Sequence, residues 1–208
     1  MIDLPEVKMI GYFSDCVRPI YKGKNLAYHN WDHVTKVMRN ASYLYDYGSS
    51  TELELILAIL YHDVIYVPGA YTDYNETMSA GLFKRDYDSW VTCLDNGVAV
   101  NSEYVQELIK ATVVGNHISV DHSPKSVWEA IILDADLSSL ADPYPDFVVH
   151  QENIAKEHDY VPYETAIEKG KSFLTKFLDP QRKSIYHTPA ALELWEDKAR
   201  INIQLYTR

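Results

Sequence analysis

Hydrophobic positions along this chain recur mostly at three- and four-residue intervals, the period of a helix with one buried face. In "NWDHVTKVMRNASYLYDYG" they fall at Val34, Val37, Met38, Ala41 and Tyr45, with Asn30 placed to cap the start and Gly48 to end it. "SSTELELILAILYHD" follows at once, with Ser50 or Thr51 as cap and acidic residues in the first turn. From Leu55 to Tyr61 it is apolar on every side, which predicts a helix buried in the core. "VPGAYTDYN" reads as a turn-rich loop, and a helix is expected from about Asn75 with Met78, Leu82 and Phe83 on one side. "LDNG" at 94–97 breaks the pattern. "SEYVQELIKATVV" and "KSVWEAIILDADLSSL" predict two more amphipathic helices, and "ADPYPD" breaks the chain again. Three further helices are expected over 146–158, 163–178 and 189–206. Val98 to Val100 is too short for a useful strand, so the pattern predicts one compact all-α bundle.

Composition narrows this picture. The 208 residues suit one domain, 1–208, with no linker long enough to divide it. No apolar run approaches the roughly 20 residues of a membrane span, and the N-terminus lacks the pattern of a secretory signal. The cytoplasm is therefore the expected compartment, with no membrane partner. Two distant cysteines, Cys16 and Cys93, exclude a zinc–cysteine site by number. A net charge of −11 disfavours duplex nucleic acid as a partner. A small anionic substrate stays open, because a metal or a few basic side chains can reverse the field locally. The sequence leaves a homo-oligomer open as well.

Against this apolar background a few polar residues stand out. His62 and Asp63 end the most apolar helix, where an ionised carboxylate needs a partner and the helix dipole is negative. A divalent cation would answer both demands, since imidazole nitrogen and carboxylate oxygen are metal ligands; a surface loop beginning there is the plainer reading. His29 and His33 would share a face if their helix began one residue before Asn30; with Asn30 as cap, His29 lies just outside it. Asp134 and Asp136 interrupt an apolar helix, and residues two apart point about 200° from each other. Both cannot meet one ion directly: one can face it while the other caps, pairs or meets water. Glu76 opens a helix, His117 follows a glycine that can end one, and His122 falls in a polar loop.

The order His, then His-Asp, then Asp in a helical chain resembles the HD-domain superfamily of metal-dependent phosphohydrolases. "YHNWDHV", "LAILYHDVIY", "NETMSA", "ATVVGNH", "LDADLSSL" and "KARIN" look like the ordered motifs of the branch labelled predicted metal-dependent HD-superfamily phosphohydrolase. The likeness runs from about Tyr28 to Asn202. It implies an HD-domain-like bundle with a motif core over about 28–140 and C-terminal helices over 146–206 packed on it. It implies His33, His62, Asp63 and Asp136 as metal ligands, choosing Asp136 over Asp134. His29, Glu76 and His117 would line the cleft, and Lys171, Arg200 and Asn202 match positions in the C-terminal helices. Tyr74 stands where the branch tends to have an aspartate, with Asp73 one residue before it, and Ala141 where it often has glycine.

The implied chemistry is attack of a metal-activated water on phosphorus, releasing phosphate from a nucleotide or related ester. Glu76 or Asp63 would accept a proton, His117 or His29 would donate one, and Lys84 and Arg85 could meet phosphate charge unless they are solvated surface. Mixed nitrogen and oxygen ligands suit Mn, Co, Mg, Ni, Zn or Fe. Two rival readings are a di-iron HD-type oxygenase, which would need His117 and His122 as extra ligands, and a non-catalytic nucleotide-binding module.

Overall fold

The computed structural model describes residues 4–45, 52–94 and 98–208. Gly48, Ser50, Thr51 and the break at 95–97 lie outside them. Among the described residues there are α-helices and short 3-10 turns and no strand, the all-α bundle that the periodicity predicts.

Helix α1 (Leu4–Gly23) was not among the expected elements. It buries Met9, Phe13, Val17 and Tyr21, one residue every four, on a single stripe. Helix α2 (Trp31–Ala41) is capped by Asn30, whose side chain accepts from the backbone N–H groups of Asp32 and His33. It ends at Ala41, well short of Gly48. Helix α3 (Glu52–Tyr61) is the central rod: Leu55, Leu57, Ala58, Ile59 and Tyr61 have no exposed surface. Around it pack α1, α2, α4 (Tyr74–Leu94), α5 (Ser102–Ala111) and α7 (Val127–Asp136). Phe13, Tyr61, Phe83 and Trp90 form an aromatic cluster between α1, α3 and α4. Met78, expected on the inner side of α4, faces solvent; Ala80 and Phe83 take the buried positions. The break after α5 comes at Thr112 and Val113, so Gly115 and His117 sit inside a short helix, α6 (Val114–Ile118).

The C-terminal third is α8 (Tyr144–Glu157), α9 (Tyr163–Thr175) and α10 (Pro189–Tyr206), packed about a 3-10 turn at Leu137–Ala141 that continues α7. Side chains hold it there by bonding to otherwise unmet backbone groups. Asp134 accepts from the N–H groups of His187 and Thr188, 2.8 and 2.7 Å away, at the entrance to α10. Asn202 donates from α10 to the carbonyls of Leu140 and Asp142, both at 2.8 Å. Arg200 pairs with Glu196 on its own helix, and Lys171 sits beside Glu168 on α9 and over the Tyr206 ring of α10.

Asp142 joins three elements, accepting from Lys36 of α2 and from His150 of α8. Burial disfavours its charge, but His150 and Lys36 outweigh that and hold the carboxyl below its ordinary 3.8. The folded state therefore prefers the ionised form. Its contribution is full above the ordinary value and fades as pH falls through the lowered one. Asp142→Asn is expected to cost about 1 kcal/mol near neutral pH, the scale of one charged hydrogen bond in partial contact with water. Urea midpoints of the two proteins should converge as pH drops below 3.8; a gap that stays constant would show that charge is not what Asp142 contributes.

Candidate metal centre

The end of α3 lies in the core, so its last carbonyls cannot turn to water. Side chains at and just past the end of α1 meet it and the turn that follows: Tyr21 donates to Leu60 O at 3.2 Å, and Lys24 donates to the carbonyls of Asp63 and Val64. Burial lowers the Lys24 ammonium to about 8. With the backbone satisfied, the chain leaves the helix through His62 and Asp63. The His62 Nδ1–H donates to Ile59 O at 2.7 Å. A carbonyl can only accept, so in the neutral ring the lone pair is on Nε2.

That lone pair meets three other donor groups. His62 Nε2 is 3.2 Å from His33 Nε2, 3.2 Å from Asp63 Oδ2 and 3.6 Å from Asp136 Oδ1. His33 Nε2 is 3.4 Å from Asp63 Oδ2 and 3.1 Å from Asp136 Oδ1. Around an ion with ligand bonds of about 2.1 Å, neighbouring ligands sit about 3.0 Å apart in an octahedron and about 3.4 Å in a tetrahedron. The observed edges match those spacings, and His33, His62, Asp63 and Asp136 form a group able to hold a metal ion. The four groups come from three local devices: His33 from the first turn of α2, His62 and Asp63 from just past the end of α3, and Asp136 from the end of α7.

The electrostatics agree. Burial alone would neutralise all four groups, and their mutual pairing overrides it. Asp63 and Asp136 raise both imidazoles, while the histidines hold both carboxyls well below the usual range. Such a set is charged because it faces opposite charge, and a cation can take the place of the protons. His117 adds a further sign. It is buried, its Nε2 lies 3.2 Å from Asp136 Oδ2, and its Nδ1 has no hydrogen-bond partner. A buried imidazole paired with the cluster on one side and open on the other can meet a bound ligand there.

The cluster forms one end of a cavity of about 380 Å³. Asp63, Asp136, His117, Glu76 and His29 all line it, bringing together five of the expected site residues. Asn30 is the cap of α2, so His29 stands just before the helix and turns into the cavity. Burial raises the Glu76 carboxyl. Gly69, at φ +78°, brings the α3–α4 loop against Tyr160 on the cavity wall; a Cβ there would fall 2.6 Å from the tyrosine ring.

Lys84 and Arg85 are corrected. They are absent from the cavity wall and lie on the solvent side of α4, where Lys84 pairs with Asp88 and Arg85 with Asp86. Asp134 bonds the backbone N–H groups that lead into α10, as described above. His122 is not simply surface: it is half-buried beside Glu129, and neither residue reaches the cluster. Neither Asp73 nor Tyr74 reaches the cavity.

The sequence reading missed Glu157. It is buried at the end of α8 and accepts from the N–H groups of Tyr28 and His29 and from His29 Nδ1, at 2.5, 2.9 and 2.5 Å. This fixes the His29 ring, which also stacks on Tyr66 at 3.6 Å, and leaves Nε2 to address a ligand. In the sequence Glu157 looks like any acid on an amphipathic helix; only helix packing shows its partners. No family model matches this chain, and no curated protein does.

The geometry divides the residues by role. Replacing His33 or His62 with Ala removes a ligand and should weaken ion binding by more than about 100-fold, since losing an outer partner alone costs about 10–100-fold. His29→Ala should keep the ion. Elemental analysis after dialysis distinguishes them, and equal metal loss in the His29 and His33 variants would make His29 a ligand.

Proposed function

We propose that this chain is an HD-type metal-dependent phosphohydrolase acting on a small phosphate ester, a nucleotide or a related monoester. The supporting observation is the convergence of four side chains able to hold an ion, two of them, Asp63 and Asp136, on the wall of a ligand-sized cavity that also holds Glu76, His117 and His29. When bound, a divalent ion supplies Lewis-acid polarisation of the phosphoryl group and makes water a better nucleophile near neutral pH. Mn, Co, Ni, Zn, Fe and Mg all remain compatible with this donor set.

The chain's own residues do the remaining work. Glu76 accepts a proton from the attacking water, and its raised carboxyl makes it a stronger base than an exposed glutamate. The water oxygen bonds to phosphorus as the bond from phosphorus to the ester oxygen breaks. His29, oriented by Glu157, gives a proton to the departing oxygen, so an alcohol and inorganic phosphate leave. His117, paired with Asp136 through Nε2, donates to a phosphoryl oxygen. For the di-iron alternative a second set of ligands is needed, and His122 is turned toward Glu129 instead.

Phosphate release from a panel of phosphomonoesters, with each ion supplied in turn, tests the reading. The wild type should turn over at least one ester class. Glu76→Gln should keep its ion and lose about 10²- to 10⁴-fold in kcat, the usual weight of a general base. Silence of the ion-loaded wild type across the panel would remove the proposal.

A further inference from the structure

The cavity changes character along its length. One end carries the His/Asp cluster, Glu76 and His29. The other is a chamber between α8, α9 and the 3-10 turn, with Leu140, Ile154, Ile167, Phe173, Leu174 and Phe177 on its wall. Ile154, Ile167 and Phe173 are only half-buried and line this chamber. Lys169, exposed on α9, is the one lysine or arginine in the described lining and Gln151 the one carboxamide, while among its other polar groups the hydroxyls of Tyr28 and Ser139 bond each other and His158 bonds Tyr160. We infer that the substrate is a phosphate monoester whose esterified group is apolar, an alkyl chain or unsubstituted hydrocarbon ring seated in this chamber while its phosphate meets the cluster.

Charge and polarity both favour this class. A nucleoside polyphosphate brings several negative charges into a cavity that already holds Asp63, Asp136 and Glu76. One ion and one exposed lysine match a single phosphate better than a chain of them. A sugar or a base brings several donors and acceptors against leucine, isoleucine and phenylalanine, where each unpaired group loses its water without replacement. A hydrocarbon group loses nothing polar there and removes apolar wall from water. The cavity volume, about 380 Å³, lies at the small-molecule end of the usual range.

The inference rests on the cluster being a phosphate-binding end, so its test separates binding from turnover. Calorimetry on the ion-loaded protein would follow non-hydrolysable n-alkyl phosphonates from methyl to hexyl, with nucleoside monophosphates as competitors. Phosphate release would follow the matching alkyl phosphates. The expected result is affinity rising about fourfold per methylene, equivalent to about 0.8 kcal/mol each. Ile154→Asn and Ile167→Asn, at half-buried positions that spare the core, should each flatten that slope. A flat series in the wild type, or nucleoside monophosphates binding more tightly than hexyl phosphonate, would overturn the inference. Hydrolysis with a flat series leaves the phosphohydrolase reading and removes this one. A rising series with no phosphate release keeps the ligand class and removes the reaction.

Discussion

A carboxylate and an imidazole follow directly on the end of the most apolar helix in the molecule, and much of the site is arranged to make that tolerable. Asp63 cannot be charged in the core without a partner, and His62 cannot keep a lone pair there without something to meet it. The chain first meets the helix end itself and the turn that follows, with Tyr21 and Lys24, at and just past the end of α1, bonding their carbonyls. It then brings His33 and Asp136 to within 3.2–3.6 Å of the His-Asp pair from two other helices. Four groups that are each unfavourable alone become mutually supporting, and the spacing they settle at is that of a metal coordination shell.

Two elements far along the chain complete the arrangement. Asp134 takes the start of α10 and leaves Asp136, two residues on, for the cluster. Glu157 closes the opposite side by holding His29. The C-terminal helices thus do more than cover the core. They supply the wall of the chamber and the residue that orients a cavity histidine, and Asn202 and Asp142 fasten them to α2 and to the 3-10 turn. The cavity wall joins the acidic cluster residues to the mostly apolar side chains of α8 and α9.

The pattern of apolar positions determined the helical class and most element positions, because a 3.6-residue period is written in local order. It also marked His62 and Asp63, since polar residues inside an apolar run are visible without coordinates. Helix α1 was equally legible in Met9, Phe13, Val17 and Tyr21, spaced four apart, though it was not read. The orientation of His29 turned on a single cap, Asn30, a local signal that left two readings open until the helix start was fixed.

What the sequence alone could not decide was anything set by contact across the bundle. Asp134 and Asp136 are the same residue type in the same helix, and helical geometry says only that they diverge; the position of α10 decides which one meets the chain entering it. Lys84 and Arg85 looked able to meet a phosphate, and the rotation of α4 put them in water beside Asp88 and Asp86. Glu157 and the apolar chamber carried no local signature, because burial of one acid and exposure of several apolar side chains depend on how α8 and α9 lie against the rest of the fold. Local order fixes period and caps; which side chains share a space is a long-range property, and only the tertiary structure decided it.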